Sequence, residues 1–567
     1  KNKVMNKIKI LRNKLKQYNI DGYVVPKNDD YFTEYSKINR LKIISNFTGS
    51  AGVAIILKNK NYLFTDGRYT LQSQIESGKN FSIQDFGKLI NCSLFKNLTL
   101  GIDPKLFTHQ QIKKFFLKNN KIKYIKENLI DQIEKKLIIN TKPFYHLNKK
   151  IVGESTNSKL NKISNFLKRK KTDYIFISAP ENVAWILNIR GNDGPYSPIP
   201  NSRMIISKSK KILIFSKFQK CKNLIKKKII SSKQVMDIEK FSKIISNLNG
   251  KNFAIDGKSC SIFYENIIKS KFKIIIKNDP CYMLKSLKNS SEIKNMINSH
   301  IEDGVALTKF IFWIKFKNKK KITEIDAEKK LEKFRKNSKK YLYPSFNTIA
   351  GTGSNGAIVH YRATKSSNKV IKKKDIFLCD SGGQYKYGTT DVTRTLCFSK
   401  QPNSIKNIFT KVLKGHIAVA TTNLNKYNQG KQIDLRARHF LKKDGLDYAH
   451  GTGHGVGFFL SVHEGPQSIS RYNSIKLKKG MILSNEPGYY KAGHFGIRIE
   501  NLVFVKETNK NLNFENLTLA PIEKDLINFS LLNKKEKNYL FNYHLNVYAK
   551  LSKFLNKEEK KWLANLI

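Results

Sequence analysis

The sequence between residues 346 and 500 contains the motifs FNTIAGTGSNGAIVHY (346–361), LCDSGGQYKYGTTDVTRT (378–395), HGTGHGVGFFLSVHEGP (450–466), SNEPGYY (484–490) and GIRIEN (496–501). Five residues that can bind a metal ion lie at the cores of these motifs, and they are Asp380, Asp391, His454, Glu486 and Glu500. Glycines surround them, as expected where the backbone must approach an ion or a substrate closely. Four carboxylates and one imidazole therefore predict a metal site in this stretch.

The charge of this ligand set indicates what the site binds and does. Four carboxylates balance the four positive charges of two divalent cations. Two metals about 3.5–4 Å apart generate a bridging hydroxide at neutral pH and polarise a carbonyl, so the site predicts hydrolysis. Oxygen-rich sites favour Mn²⁺, and Zn²⁺ stays open as an alternative. Cys379 is expected to face away from Asp380 into the core, because side chains alternate along a strand.

The order Asp, Asp, His, Glu, Glu in these motifs resembles the aminopeptidase P (Xaa-Pro aminopeptidase) family of the pita-bread metallopeptidases. FTGSAG (47–52), TDGRY (65–69) and NIRGND (188–193) resemble the long, three-domain form of that family. The resemblance implies an α/β (α+β) chain with two creatinase-like α/β domains, a pita-bread catalytic domain and a C-terminal helical extension. The expected boundaries are 1–150, 151–284, 285–520 and 521–567.

The same resemblance implies cleavage of the bond before a proline at the second position of a peptide, with release of the first residue. Glu486 is expected to bind metal and to pass a proton from the hydroxide to the leaving proline nitrogen. His463 and His360 are expected to stabilise the scissile carbonyl and the tetrahedral intermediate, since a hydrogen-bond donor near the oxyanion lowers the barrier.

Four further residues are implied as substrate contacts. His450 would shape the pocket for the residue after the cut bond, Tyr490 and Arg498 would line the proline pocket, and Arg68 would approach the site from the N-terminal domain. An X-Pro bond has no N–H, so a pocket shaped to the ring is selective for it. The sequence departs from the commonest family pattern at residues 201–203, which leaves the preference for longer substrates open.

The composition bounds the possible partners. The chain has 106 Lys and Arg against 43 Asp and Glu, a net charge of +63, which would suit nucleic acid or an anionic membrane. The lysines are spread along the whole chain among Asn and Ile, so we interpret them as compositional bias and expect no specific nucleic-acid partner. Scattered cysteines, no signal-peptide pattern and no long apolar run predict a cytoplasmic protein without membrane contact. The C-terminal helices are expected to contribute to a homodimer.

Local patterns predict several elements. A helix is expected to begin at Ser155 and to open a second copy of the N-terminal architecture. Ser290 or Ser291 is expected to cap a long helix, and Thr323 a second one. AIVHY (357–361) is interpreted as a strand, so GTGSNG (351–356) lacks the helix that a dinucleotide-binding fingerprint must open.

Three alternative functions remain. A methionine aminopeptidase would lack the N-terminal domains, and a creatinase-like hydrolase need not keep all five ligands. A metal-free pita-bread domain could instead serve as a binding module for chaperoning or nucleic-acid partners. The five intact ligands favour the peptidase over the binding module, because function depends on the site and not on the fold.

Overall fold

A computed structural model describes residues 2–90, 92, 94–116, 118–134 and 140–567. The chain forms two compact units, of which the first comprises residues 1–149 and 154–282 and the second comprises residues 150–153 and 283–567. Among the described residues, every helix is too short or too polar to cross a bilayer. All six cysteines are buried with free thiols.

The first half of the first unit is a six-stranded sheet in the order β4-β3-β2-β1-β5-β6. Its elements are α1 (Asn2–Gln17), β1 (Gly22–Pro26), α2 (Arg40–Ser45), β2 (Val53–Leu57), β3 (Asn61–Thr65), α3 (Thr70–Ser77), β4 (Ser82–Asp85), β5 (Thr99–Ile102), α4 (His109–Phe115) and β6 (Lys121–Tyr124). Tyr23 and Val25 pack with Leu11 of α1, whereas Val24 faces a second cluster on the other side of the sheet. The strand is therefore buried on both faces, as alternation of side chains requires.

The second half repeats this architecture. Its elements are β7 (Tyr145–His146), α5 (Lys149–Val152), most of which belongs to the second unit, α6 (Thr156–Arg169), β8 (Tyr174–Ile177), α7 (Pro180–Leu187), β9 (Ile189–Arg190), β10 (Arg203–Ser207), β11 (Ile212–Phe215), α8 (Phe218–Lys226), β12 (Val235–Met236), α9 (Phe241–Asn247), β13 (Asn252–Ile255), α10 (Ile262–Lys269) and β14 (Lys273–Ile276). The order β12-β11-β10-β8-β13-β14 matches the first sheet strand for strand. Each pairing also has the same direction, antiparallel for β8 with β10 and parallel for β8 with β13. The predicted second copy is confirmed, and Ser155 caps α6 as expected.

The second unit carries the motifs that contain the five candidate ligands. Its helices are α11 (Pro280–Ser286), which begins in the first unit, α12 (Ser290–Phe312), α13 (Glu324–Lys336), α14 (Asn403–Ala420), α15 (Gly430–Lys442), α16 (Lys534–Leu551) and α17 (Lys557–Ala564). Its strands are β15 (Tyr341–Pro344), β16 (Ile349–Thr352), β17 (Phe377–Ser381), β18 (Gly383–Tyr385), β19 (Gly388–Thr389), β20 (Val392–Leu396), β21 (Gly453–Gly455), β22 (Glu464–Ile469), β23 (Ile482–Asn485), β24 (Gly488–Lys491), β25 (Phe495–Arg498), β26 (Asn501–Thr508) and β27 (Asn511–Asn516). A five-stranded sheet in the order β22-β21-β23-β26-β27 and a three-stranded sheet in the order β16-β17-β20 position these motifs.

Helix capping differs from prediction at one of two positions. Thr323 caps α13 through a reciprocal pair of hydrogen bonds with Asp326, as expected. The cap of α12 is Asn289, not Ser290 or Ser291, because its side chain accepts from the amide of Glu292 and the Glu292 carboxylate accepts from its amide. A capping box needs a side-chain acceptor three residues after the cap, and Asn289 has Glu292 there, whereas Ser290 and Ser291 have Ile293 and Lys294.

The strand predicted for AIVHY is wrong. β16 ends at Thr352, the chain then forms a 3₁₀ helix over Gly353–Ala357, and a turn follows through His360. Gly353 adopts a φ of +55°, which L side chains rarely tolerate and which bends the chain out of the strand. Ala357 therefore ends the 3₁₀ helix, and Ile358 and Val359 lie in the turn that follows it rather than in a strand.

Candidate metal centre

Two strands of the three-stranded sheet carry the first two carboxylates. Asp380 lies in β17, and Asp391 directly precedes β20, which pairs with β17 so that Asp380 is opposite Thr393. Cys379 packs in the core behind the strand, as predicted. The alternation of β17 thus separates a buried thiol from a carboxylate that faces the site.

Two strands of the five-stranded sheet carry the other two carboxylates. Glu486 follows β23, and Glu500 precedes β26. These strands pair antiparallel, with Asn485 opposite Asn501, so the end of one lies beside the start of the other. Glu500 also bridges to Thr393, and its amide donates to the Thr393 carbonyl at 3.1 Å. This bridge joins the two sheets at the four carboxylates.

His454 comes from β21, between β22 and β23. Its Nδ1 donates to the Gly455 carbonyl at 2.9 Å, and its Nε2 lies 3.3 Å from Asp391 Oδ2 and 3.3 Å from Glu486 Oε1. The neighbouring Gly453 is required here, because a Cβ at that position would lie 1.9 Å from the Ser484 carbonyl oxygen. The close approach of β21 to β23 therefore positions the imidazole over the carboxylates.

The five predicted ligands form two overlapping groups. The ligand atoms of Asp380, Asp391 and Glu500 all lie within 4.8 Å of one another, and so do those of His454, Glu486 and Glu500. Burial, together with the charges of Asp391 and Glu486, raises the pKa of Asp380 to about 7. Burial also raises the pKa of Glu486, and it raises that of Glu500 well above its ordinary value, with the neighbouring carboxylates adding to both shifts. The cluster therefore favours bound cations.

Unpartnered atoms support the same conclusion. Asp380 Oδ1 and Glu500 Oε1 are buried without a hydrogen-bond partner in the described part of the chain. Buried polar atoms are normally paired, so two buried carboxylate oxygens without a hydrogen-bond partner in one cluster are suited to binding a metal ion. Carboxylate oxygens with one imidazole suit divalent metals. The residues present thus fit a metal pair that shares Glu500.

Two more predicted histidines lie near the cluster. His463 directly precedes β22, and its ring centroid is 4.3 Å from that of His454 in an edge-to-face arrangement. One of its nitrogens also groups with ligand atoms of Asp391 and His454. His360 lies in the turn after the 3₁₀ helix, next to Val359, whose carbonyl accepts from Arg498 at 3.5 Å.

The three predicted pocket residues in this unit form one hydrogen-bonded chain. Arg498 Nη2 donates to Asp380 Oδ2 at 2.7 Å, and its Nη1 donates to the Tyr490 hydroxyl oxygen at 2.7 Å. That hydroxyl lies 2.7 Å from Nε2 of His450, whose Nδ1 donates to the Gly451 carbonyl at 2.8 Å. His450 Nε2 therefore accepts from Tyr490, and the chain connects a candidate ligand with the predicted proline pocket.

Arg68 belongs to the first unit, whereas the other predicted site residues belong to the second unit. It follows β3 and pairs with Asp66 through two hydrogen bonds of 3.0 and 2.8 Å. Its side chain is 31% exposed, so the guanidinium remains partly accessible. The predicted substrate contact stays a prediction.

Two hydroxyls that orient ligands were not predicted. Thr393 donates to Glu500 Oε2 at 2.8 Å and accepts from Arg498 Nε at 3.2 Å. Ser484 donates to Glu486 Oε1 at 2.9 Å and accepts from the His454 amide at 2.9 Å. Each hydroxyl is two residues from a candidate ligand along its segment, so side-chain alternation would place it on the same face as that ligand but would not by itself assign it a supporting role.

Family models match most of the chain. Residues 294–507 match metallopeptidase family M24, and residues 510–566 match the C-terminal region of peptidase M24. Residues 7–132 and 134–292 each match a creatinase/prolidase N-terminal domain. The two repeated sheets thus correspond to two domains of one type.

Named relatives match over nearly the full length. The chain is 37% identical to a probable Xaa-Pro aminopeptidase P of Laccaria bicolor, covering 98% of this chain and 91% of the relative. It is 35% identical to Xaa-Pro aminopeptidase 1 of Dictyostelium discoideum, covering 100% and 96%. An X-prolyl aminopeptidase of Caenorhabditis elegans, described as a cytosolic enzyme with a di-nuclear active site, matches with a TM-score of 0.92, 29% identity and 99% coverage of both chains. The chain therefore belongs to the M24 family of metallopeptidases, among the Xaa-Pro aminopeptidases.

Proposed function

We propose that this enzyme hydrolyses the bond between the first residue of a peptide and a proline at the second position, and releases the first residue. The observation that carries this proposal is the grouping of all five ligands beside the chain Arg498, Tyr490 and His450. Relatives of this length are named for the same activity, which supports the choice of substrate.

We propose that two divalent cations occupy the centre, one held by Asp380, Asp391 and Glu500 and the other by His454, Glu486 and the shared Glu500. When bound, such a metal pair would supply an acidified water as the hydroxide nucleophile and would polarise the peptide carbonyl. The oxygen-rich ligand set favours Mn²⁺, with Zn²⁺ as the alternative.

The residues around the metals handle the proton and the developing charge. Glu486 would lie beside the attacking water as a metal ligand, where its carboxylate can accept a proton from that water and return it to the proline nitrogen. His463 and His360 are proposed to donate hydrogen bonds to the carbonyl oxygen as negative charge develops on it.

The pocket residues explain the preference for proline. The positive charge of Arg498 is offset by Asp380, to which it donates, while the Tyr490 hydroxyl is occupied by Arg498 and His450. The Tyr490 ring is therefore held in place and offers an apolar face to the proline ring. An X-Pro bond has no N–H, so a pocket without an acceptor for an amide N–H binds it at no cost in hydrogen bonds. A secondary amide bound in the same pocket would leave its N–H unpaired, which costs binding free energy.

Three further assignments belong to this proposal. Arg68 contacts the substrate from the first unit. The segments 1–150, 151–284, 285–520 and 521–567 are the domains, and the protein works as a cytosolic homodimer that binds neither a specific nucleic acid nor a membrane. The description of the C. elegans enzyme as cytosolic supports the location.

The test is release of Arg from Arg-Pro-Pro by metal-stripped protein with and without added Mn²⁺. We expect activity only after metal addition, and at least tenfold slower release from Arg-Ala-Pro. Equal rates on the two peptides would overturn the proposed specificity for proline. No turnover with Mn²⁺ or Zn²⁺ by a folded protein would overturn the proposed activity and favour the binding-module alternative.

A matched pair of variants separates the metal centre from general damage to the domain. Glu500→Gln removes the shared ligand. We expect it to lower the amount of Mn²⁺ bound per chain and to lower kcat/KM at least 100-fold. Glu507→Gln changes an exposed carboxylate near the end of β26 and should leave both unchanged. Metal content measured by atomic spectrometry gives a readout that is independent of turnover.

A further inference from the structure

A buried arginine holds the segment that connects α15 to β21. Arg438 of α15 is 2% exposed. Its Nη1 donates to the Tyr448 carbonyl at 2.6 Å, and its Nη2 donates to the His450 carbonyl at 2.6 Å. The guanidinium also stacks 3.9 Å from the centre of the Tyr448 ring. One side chain thus fixes two alternate carbonyls of the segment.

A second set of contacts completes this clamp. Asp434, which is fully buried, accepts from Arg438 Nε at 2.8 Å and from the Thr452 hydroxyl at 2.6 Å. Since the Thr452 hydroxyl donates to Asp434, the Tyr448 hydroxyl, 2.6 Å away, must donate to Thr452. Each donor direction is therefore determined. The buried charges are paired and hydrogen-bonded, as burial requires.

The clamped segment carries His450. The ring of His450 lies 4.9 Å from the Tyr448 ring, and its Nε2 accepts from the Tyr490 hydroxyl. The carbonyl of His450 is held by Arg438, and Nδ1 donates to the next carbonyl in the chain. The backbone on which the imidazole is mounted is thus fixed by a side chain from another helix.

We propose that Arg438, supported by Asp434, is a positioning residue that orients His450 so that its Nε2 holds Tyr490 in the substrate pocket. This inference rests on the proposed function, which places His450 and Tyr490 at the substrate. Arg438 itself acts only through His450. The planar fork of the guanidinium simultaneously reaches two carbonyls and two carboxylates, those of Asp434 and Asp447, which a lysine ammonium on a flexible stem cannot reproduce.

The test is a double-mutant cycle on release of Arg from Arg-Pro-Pro by the full-length, Mn²⁺-loaded enzyme. Arg438→Lys is expected to lower kcat/KM at least tenfold in the wild-type background and less than twofold in the His450→Ala background. Losses that add in the double variant would show that Arg438 does not act through His450 and would overturn the inference. Asp434→Asn, which keeps the shape of the carboxylate, provides the same cycle with a milder change if Arg438→Lys fails to fold.

One control variant and one structural measurement complete the design. Arg436→Lys alters a neighbouring arginine of α15 whose partners are Thr422 and the Tyr427 ring, and it should change kcat/KM less than twofold. Crystal structures provide a readout that is independent of turnover. The distance between His450 Nε2 and the Tyr490 hydroxyl, 2.7 Å here, should exceed about 3.5 Å in the Arg438→Lys variant.

These readouts distinguish the inference from the proposed function. An unchanged hydrogen bond between His450 and Tyr490 in the variant crystals refutes the inference even if the enzyme cleaves Xaa-Pro. A wild-type enzyme that cleaves no Xaa-Pro peptide refutes the proposed function, while the crystal measurement still decides whether Arg438 orients His450.

Discussion

At the scale of single residues, Thr393 connects the candidate metal centre to the predicted pocket. Its hydroxyl donates to Glu500 and accepts from Arg498, so one side chain orients a ligand and a pocket residue. The ligand types could be predicted from sequence, because carboxylates and an imidazole occurred among glycines. The supporting hydroxyls of Thr393 and Ser484 were not predicted, since a threonine or serine in a strand has many other possible roles.

Arg68 offers a prediction at the residue scale. Arg68→Ala is expected to raise KM for Arg-Pro-Pro about tenfold, because a hydrogen bond from a charged group to the substrate contributes about 1.5–3 kcal/mol. The thermal unfolding midpoint should change little, since the partly exposed pair with Asp66 contributes at most about 1 kcal/mol. Steady-state kinetics and differential scanning fluorimetry measure both quantities.

Asp66→Asn is the matched control for Arg68. It weakens the ion pair but leaves the guanidinium in place, so KM should stay within about twofold of wild type. Equal KM values for Arg68→Ala and the wild type would remove Arg68 from the substrate site. A large effect of Asp66→Asn would instead assign the role to the pair as a structural unit.

At the scale of elements, strand ends bring distant motifs together. The antiparallel pairing of β17 with β20 around Asp380 could be anticipated, since only a glycine-rich connection separates the two strands in sequence. The pairing of β23 with β26 at Asn485 and Asn501 joins the motifs that contain Glu486 and Glu500, and no local pattern specifies its register. The hydrophobic pattern also predicted a strand wrongly at AIVHY, where the chain turns at Gly353, because such a pattern carries no information about the backbone conformation of a glycine.

Helix α16 carries a pH-dependent contribution to stability. His544 is buried, and its Nε2 accepts from the Ile522 amide at 3.0 Å. Burial, together with the positive charges of Arg394 and Lys524, lowers the pKa of His544 from 6.5 to about 4. Between pH 6.5 and pH 4, His544 is therefore protonated in the unfolded chain but neutral in the folded chain. The free energy of unfolding consequently falls as the pH drops from 6.5 to 4.

We expect His544→Gln to flatten this dependence. The glutamine amide oxygen can still accept from Ile522 but does not titrate, so the variant should lose less stability in acid than the wild type, by about 1.4 kcal/mol for each pH unit in the window. Thermal unfolding from pH 4 to pH 8 measures the difference. Exposed His439→Gln serves as the control, and parallel curves for His544→Gln and the wild type would contradict the assignment.

At the scale of the whole molecule, the first unit contains the same sheet twice. The repeated strand order could be predicted from the recurrence of helix, strand and hairpin patterns after Ser155, and the topology makes the correspondence complete. A second property at this scale is the net charge of +63.

The charge leads to the last prediction. A protein that binds DNA through a dedicated face releases many counterions, so its affinity falls about 10³- to 10⁵-fold between 50 and 200 mM salt. Many lysines here are paired within the fold, as Lys288 is with Glu464 and Lys414 is with Glu536, and the remainder are spread along the sequence. We therefore expect no binding of a fluorescent duplex tighter than about 10 μM at physiological salt by anisotropy, in line with non-specific contact. Submicromolar binding with a steep salt dependence would contradict this expectation and would show that the lysines form a nucleic-acid face.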